Sequence, residues 1–191
     1  MTISVVSICN RALDMLGADP ITALTDTSKS ARLCNRNYEP VRDAVLRAYP
    51  WNSAMARASL AASTDTPEFD YAYQYEAPAD FLRMWRINED DEGLVKWRLE
   101  GRKILTDQPA PLYIVYVKQI TDPAEFDPLL ADAISARLAA EIAYSLTGSA
   151  SVKQEAENSY LRRLAEARKV DAQEIGIPDE FSAPDWIESR L

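Results

Sequence analysis

The apolar residues of this chain change their spacing twice, near residue 56 and again near residue 127. Outside that interval they recur every three or four residues, the period of one helix face. Between Ala56 and Lys118 they fall into short runs enriched in β-branched and aromatic side chains, the pattern of strands. A chain written this way is neither all-helical nor all-strand. It places a β-rich segment between two helical ones. With 47% hydrophobic and 27% charged residues over 191 positions, it has enough apolar material to build a core around them.

Four helices are expected. The first spans about Ser4 to Leu16, with Val5, Ile8, Cys9, Ala12, Leu13 and Leu16 on one face and Gly17 as its stop. The second spans about Ser28 to Tyr49, with Ala31, Cys34, Tyr38, Val41, Val45 and Tyr49 as its stripe. Pro40 falls inside it and is expected to bend it. Trp51, just past its end, is expected to fold back into the core. The third opens on Asp127-Pro128, an N-cap followed by proline at the first helical position, and stops at Gly148. Leu130, Ala133, Ile134, Leu138 and Ile142 form its stripe, and its alanines leave the other faces thin. The fourth begins near Ser149 or Ser151, with Ser151 and Gln154 as a capping box, and fades near Ala172. Its stripe is Val152, Ala156, Tyr160, Leu164 and Ala167, widened by Leu161.

Strands are expected at Arg57–Ala61, Phe81–Ile87, Lys96–Leu99, Lys103–Leu105 and Leu112–Lys118, with a tight turn at Glu100-Gly101-Arg102. Trp85 and Trp97 lie on these strands. Strand aromatics are usually core; the alternative is an exposed edge that meets a neighbouring subunit. The acidic run Glu89-Asp90-Asp91-Glu92 reads as a solvated turn.

The expected organisation is mainly α with a β insert. A four-helix bundle core is formed by residues 1–55 and 127–172, a small β-rich module by 56–126, and an extended C-terminal arm by 173–191. In the arm, Pro178 and Pro184 prevent a continuous helix, and Ile175, Ile177, Phe181, Trp186, Ile187 and Leu191 come singly. Such a segment cannot build its own core. A lone Trp186 in a polar arm suits a partner's pocket; the competing reading packs the arm intramolecularly over the bundle.

Chemistry is hard to find. The chain has no His, which removes the commonest general base and metal ligand. Its two cysteines, Cys9 and Cys34, both fall on apolar helix faces and read as reduced core thiols. No phosphate loop, nucleophile elbow or metal-ligand spacing is present. No catalytic residues, cofactor or metal are therefore expected, and the protein reads as a non-enzyme. The net charge is −9, concentrated in residues 64–92 (two basic, nine acidic) and 173–191 (one basic, five acidic). That balance disfavours duplex binding. Arg32 and Arg36 offer a basic helix face, which Glu39 and Asp43 go far to balance. No apolar run approaches the about 20 residues of a membrane span. With no basic region ahead of an apolar run at the N-terminus, the chain is expected to stay in the cytoplasm during assembly.

Several segments, in order, resemble one family. They are Ile8-Cys9-Asn10-Arg11-Ala12-Leu13-Asp14-Met15-Leu16-Gly17, Ala31-Arg32-Leu33-Cys34, Tyr38-Glu39-Pro40-Val41-Arg42-Asp43-Ala44-Val45-Leu46 and Tyr49-Pro50-Trp51-Asn52. Tyr75-Glu76-Ala77-Pro78-Ala79-Asp80-Phe81-Leu82-Arg83, Leu138-Ala139-Ala140-Glu141-Ile142-Ala143 and the closing Asp185-Trp186 with Arg190 follow. Together they are similar to the tail tubular protein A family, the head-to-tail adaptors (connectors) of short-tailed bacteriophages. The match covers nearly the whole chain and is weakest over residues 88–110.

The resemblance implies a structural ring, a dodecamer, placed between the portal protein and the tail nozzle protein in the virion neck. Phage DNA passes through it without specific contacts. It implies an arm that grips the portal or the neighbouring subunit, through Phe181, Trp186, Ile187, Arg190 and Leu191. Two other readings stand beside it: another neck or head-completion protein of the same assembly, and a small DNA-binding accessory protein using Arg32 and Arg36.

Overall fold

Local chemistry sets the helix starts. In the computed structural model, which describes residues 3–88, 90 and 93–174, α1 (Val5–Asp14) opens on a reciprocal pair. The Ser7 N–H donates to Ser4 Oγ at 3.1 Å, and the Ser4 N–H to Ser7 Oγ at 2.8 Å. Ser28 caps α2 (Lys29–Ala48), which continues through Pro40 as one helix. Asp127 Oδ1 accepts the Leu129 N–H at 2.8 Å and so starts α3 (Pro128–Thr147), which ends at Gly148 with φ 72°. α4 (Ala150–Gln173) opens on Ser149, so Ser151 lies inside the helix rather than at its cap.

Six strands lie between α2 and α3: β1 (Met55–Leu60), β2 (Tyr73–Glu76), β3 (Phe81–Ile87), β4 (Trp97–Glu100), β5 (Lys103–Thr106) and β6 (Leu112–Lys118). They form two antiparallel three-stranded sheets, ordered β1-β6-β3 and β2-β5-β4. The β4–β5 hairpin pairs Glu100 with Lys103 across a two-residue loop. Gly101 at φ 60° supplies the positive φ that such a loop needs. Twice in β3 two residues oppose one on β6, leaving Leu82 and Trp85 as the extra residues of β-bulges.

β6 joins the layers. Leu112, Ile114 and Tyr116 point to one side, where they meet Tyr75 and Ile104 of the second sheet in a compact β core. Val117 points to the other side, into the helix core with Trp51, Ile120 and Phe126. Trp51 is 1% exposed and donates its indole N–H to the Val45 carbonyl at 3.0 Å.

The expected mainly-α fold with a four-helix bundle core is overturned. The fold is mixed α/β, and the helices do not close around a shared axis. α3 is a hub with twelve of its 20 residues buried, and α1, α2 and α4 each pack chiefly on it. α4 buries only Ala156, Leu164, Ala167 and Asp171. Leu161, expected to widen its stripe, is 59% exposed. The physical reason is that Ala139, Ala140 and Ala143 spread the apolar surface of α3 well beyond one stripe, so it is covered from several sides. α2 closes against the first sheet instead of against α4. Gln119 Nε2, just past β6, donates to Asp43 Oδ2 at 2.7 Å, and Arg47 donates to the Leu82 carbonyl. The Tyr116 hydroxyl fixes the strand end by donating to Asp80 Oδ1 at 3.0 Å, and its ring stacks on Phe81.

Candidate functional site

The outer face of the first sheet carries the most developed surface feature. Alternation along β6 puts Tyr113 and Val115 on the face opposite the β core, the exposed Tyr113 ring at one end and the buried Val115 nearer the helices that cover Val117. Register places Arg57 of β1 and Arg86 of β3 on either side of Val115, and Ser59 beside Tyr113. The resulting groove has a volume of about 630 Å³ and is completed by Asn88. The Asn88 side chain accepts the Tyr113 N–H at 3.1 Å, which holds the groove's far end to β6. Arg57 is exposed and has no ion-pair partner among the described residues. Tyr113 is 58% exposed. The Arg57 guanidinium on an apolar and aromatic floor can take an anionic, partly apolar segment; Arg57, Val115 and Tyr113 supply no nucleophile or general base.

A second groove, about 600 Å³, runs between α1 and α3. Of the carboxylates of Asp14 and Asp132 that line it, that of Asp132 is already occupied. The largely buried Asp132 of α3 pairs with Arg11 of α1 through one oxygen and with Arg163 of α4 through the other, clamping three helices. Cys9 and Cys34 are fully buried against each other between α1 and α2. The hydrogen bond to Cys34 and burial push the Cys9 thiol well above its ordinary range, the opposite of what a nucleophilic thiolate needs. Among the described residues, no cluster of three or more Cys, Asp and Glu is placed to hold a metal ion. No described helix is long and apolar enough to cross a membrane.

Trp85 and Trp97 are 52% and 40% exposed, so the expectation of core placement gives way to its alternative, an exposed edge. Both lie on outermost strands, β3 in the first sheet and β4 in the second. The bulge at Trp85 explains its position: an extra residue breaks the alternation that would have carried it inward. Arg32 and Arg36 are exposed on α2, and Arg32 donates to the Thr27 carbonyl. Arg42, the neighbouring cation, is buried with Asp43 at 2.8 Å, so α2 presents no continuous basic row. Asp90 accepts the Leu94 and Val95 N–H groups at 2.9 and 2.7 Å, which hold its carboxyl below the ordinary range and close the turn. Glu89, Asp91 and Glu92 lie outside the described residues, as do all five arm positions: Phe181, Trp186, Ile187, Arg190 and Leu191.

Sequence reading passed over Arg57, Arg86 and Tyr113 as a set. Each falls on an expected strand, but only the order β1-β6-β3 brings the two arginines to either side of one valine. The pairing of Arg-x-Ser in β1 with Tyr-x-Val in β6 is the one signal that would have found it. No family model matches the chain, and no curated protein matches it.

Proposed function

We propose that this chain is a structural subunit of a tailed phage's neck, a head-to-tail adaptor that assembles as a ring between the portal and the tail nozzle. The observation that carries the reading is the exposure of Trp85 and Trp97 on the outermost strands of both sheets. Unpaired strand edges bearing large aromatics are costly on a free monomer and are suited to self-association. A ring repeats one such contact around a closed circle. The ordered resemblance of the helical segments to the tail tubular protein A family supplies the assembly in which such a ring belongs. The expected dodecamer, the grip of the arm on the portal and the passage of DNA through the channel all rest on that resemblance. The net charge of −9 agrees with a conduit that does not retain phosphate.

Negative-stain microscopy of the purified chain, alone and mixed with its portal, tests the proposal. Rings are expected, and Trp85→Ser with Trp97→Ser reduces them while leaving circular dichroism unchanged. A chain that stays monomeric with its portal, together with normal virion assembly after deletion of Gln173–Leu191, overturns it.

A further inference from the structure

We infer that the Phe69 turn of one copy of this chain seats in the Arg57–Val115–Tyr113 groove of a second copy. The contact rests on the reading above that the chain assembles with itself, and it supplies one joint of that assembly.

The turn presents an aromatic ring among acids. Asp70 lies at φ 69°, and the Tyr71 N–H donates to the Phe69 carbonyl at 2.9 Å. A non-glycine residue keeps such a conformation when its surroundings hold it. Here the second sheet does so: the Ala72 N–H donates to Asp107 Oδ1 at 2.9 Å, and Lys96 Nζ stands 4.7 Å from the centre of the Tyr71 ring. Phe69 nevertheless stays 76% exposed. Residues 64–72 also carry Asp65, Glu68 and Asp70, all exposed, with no Lys or Arg. None of these acids has an ion pair among the described residues. The cations on the same face of the second sheet are taken, Arg98 by Glu100 and Lys103 by Glu76.

The groove is the complement. Arg57 is exposed and likewise has no ion pair among the described residues, Tyr113 is 58% exposed, and Val115 lies between them on the floor. A volume of about 630 Å³ admits a phenyl ring, with the flanking carboxylates toward Arg57. The two patches cannot meet within one chain. Leu112, Ile114 and Tyr116 of the first sheet and Tyr75 and Ile104 of the second fill the space between the sheets. The groove opens on the far side of the first sheet, and the turn lies over the far side of the second, beside Gln74 and Leu105. Complementary patches on opposite faces make a head-to-tail contact, which closes into a ring when its rotation allows.

The test mixes the full-length chain carrying Tyr113→p-benzoylphenylalanine with an isotope-labelled second copy, alone and with its portal. Photo-crosslinking and peptide mapping read the contact, and sedimentation of the same samples reads assembly. The expected product joins the probe to residues 64–72 of the labelled copy, at dimer mass, with a yield that falls on dilution. Phe69→Ala in the labelled copy lowers that yield roughly tenfold, and Arg57→Glu in the probe copy about threefold, with circular dichroism unchanged. Assemblies whose crosslinks go only to other segments, or a yield indifferent to Phe69→Ala, overturn this contact and leave the ring standing. A crosslink to residues 64–72 of the same chain overturns it as well. A chain that stays monomeric with its portal overturns both.

Discussion

Asp171, in the last turn of α4, accepts two hydrogen bonds from Asn52, in the 3₁₀ turn before β1, one on its side chain and one on its backbone. The Asn52 N–H donates to the carboxylate at 3.0 Å, and the Asn52 side chain donates to the Asp171 carbonyl at 2.6 Å. These residues stand 119 positions apart in the chain, yet their pairing joins the end of the last helix to the start of the first sheet. Arg168 reinforces the joint by stacking on Tyr49 at 5.3 Å, and its carbonyl accepts the Tyr49 hydroxyl.

Asp171→Ala leaves the Asn52 N–H without its acceptor and is expected to lower stability by about 1–3 kcal/mol in urea titration, whereas Asp171→Asn keeps an acceptor and costs less. Burial raises the Asp171 pKa above its ordinary 3.8 in the folded state. The folded state then binds this proton more tightly, so the group's contribution is greatest below pH 3.8 and is lost as pH rises through the raised value. Asp171→Asn should therefore gain stability relative to the wild type as pH is raised from 3.5 to 7.

The Asp132 clamp predicts coupling between two helices that flank α3. Arg11→Ala and Arg163→Ala, each mild alone because the arginines are partly exposed, should combine non-additively in a double-mutant cycle by roughly 0.5–1 kcal/mol. Asp132→Ala should cost more than either arginine change, since it strands both cations at once.

Ile134 and Leu161 separate a hub from a bundle. Ile134 is fully buried at the centre of α3, and Ile134→Ala is expected to cost about 2–5 kcal/mol. Leu161→Ala, at an exposed position of α4, is expected to change stability by no more than about 0.5 kcal/mol. Chemical denaturation of the two variants reads both values, and a large loss at Leu161 would restore α4 to a shared bundle core.

Cys9 and Cys34 should resist modification in the native protein. Both are fully buried, and the thiolate form of Cys9 is suppressed. Maleimide labelling is expected to rise only in step with unfolding, as measured by labelling across a denaturant series.

Asp26 closes the loop between α1 and α2 by accepting the Thr22 and Ala23 N–H groups at 2.9 and 3.1 Å, which lowers its pKa. Its contribution is present above pH 3.8 and is lost as pH falls through the lowered value. Asp26→Ala should speed hydrogen exchange at the Thr22 and Ala23 amides without affecting α3.

Read on its own, the sequence determined what local chemistry can determine. Ser4, Ser28, Asp127 and Gly148 begin or end helices through hydrogen bonds and φ values set within a few residues, so their roles follow from neighbours in the chain. The apolar periods of Ile8–Leu13, Ala31–Val45 and Leu130–Ile142 likewise mark the buried faces, and Leu112–Lys118 is a strand by its side chains alone. β2 is not legible in this way: Tyr73–Glu76 is four residues long, lies between Pro67 and Pro78, and is held by its pairing with β5 some thirty positions away. The rest was decided by tertiary structure. Whether α2 closes on α4 or on a sheet, whether Trp85 faces in or out, and whether Arg57 and Arg86 share a groove all depend on contacts between distant segments. Helix periodicity says which face is buried and is silent about what buries it. A single bulge reverses a side chain without changing the composition of its strand. The first sheet became both a wall of the helix core and a candidate binding face because β6 lies between β1 and β3, an order that no local pattern encodes.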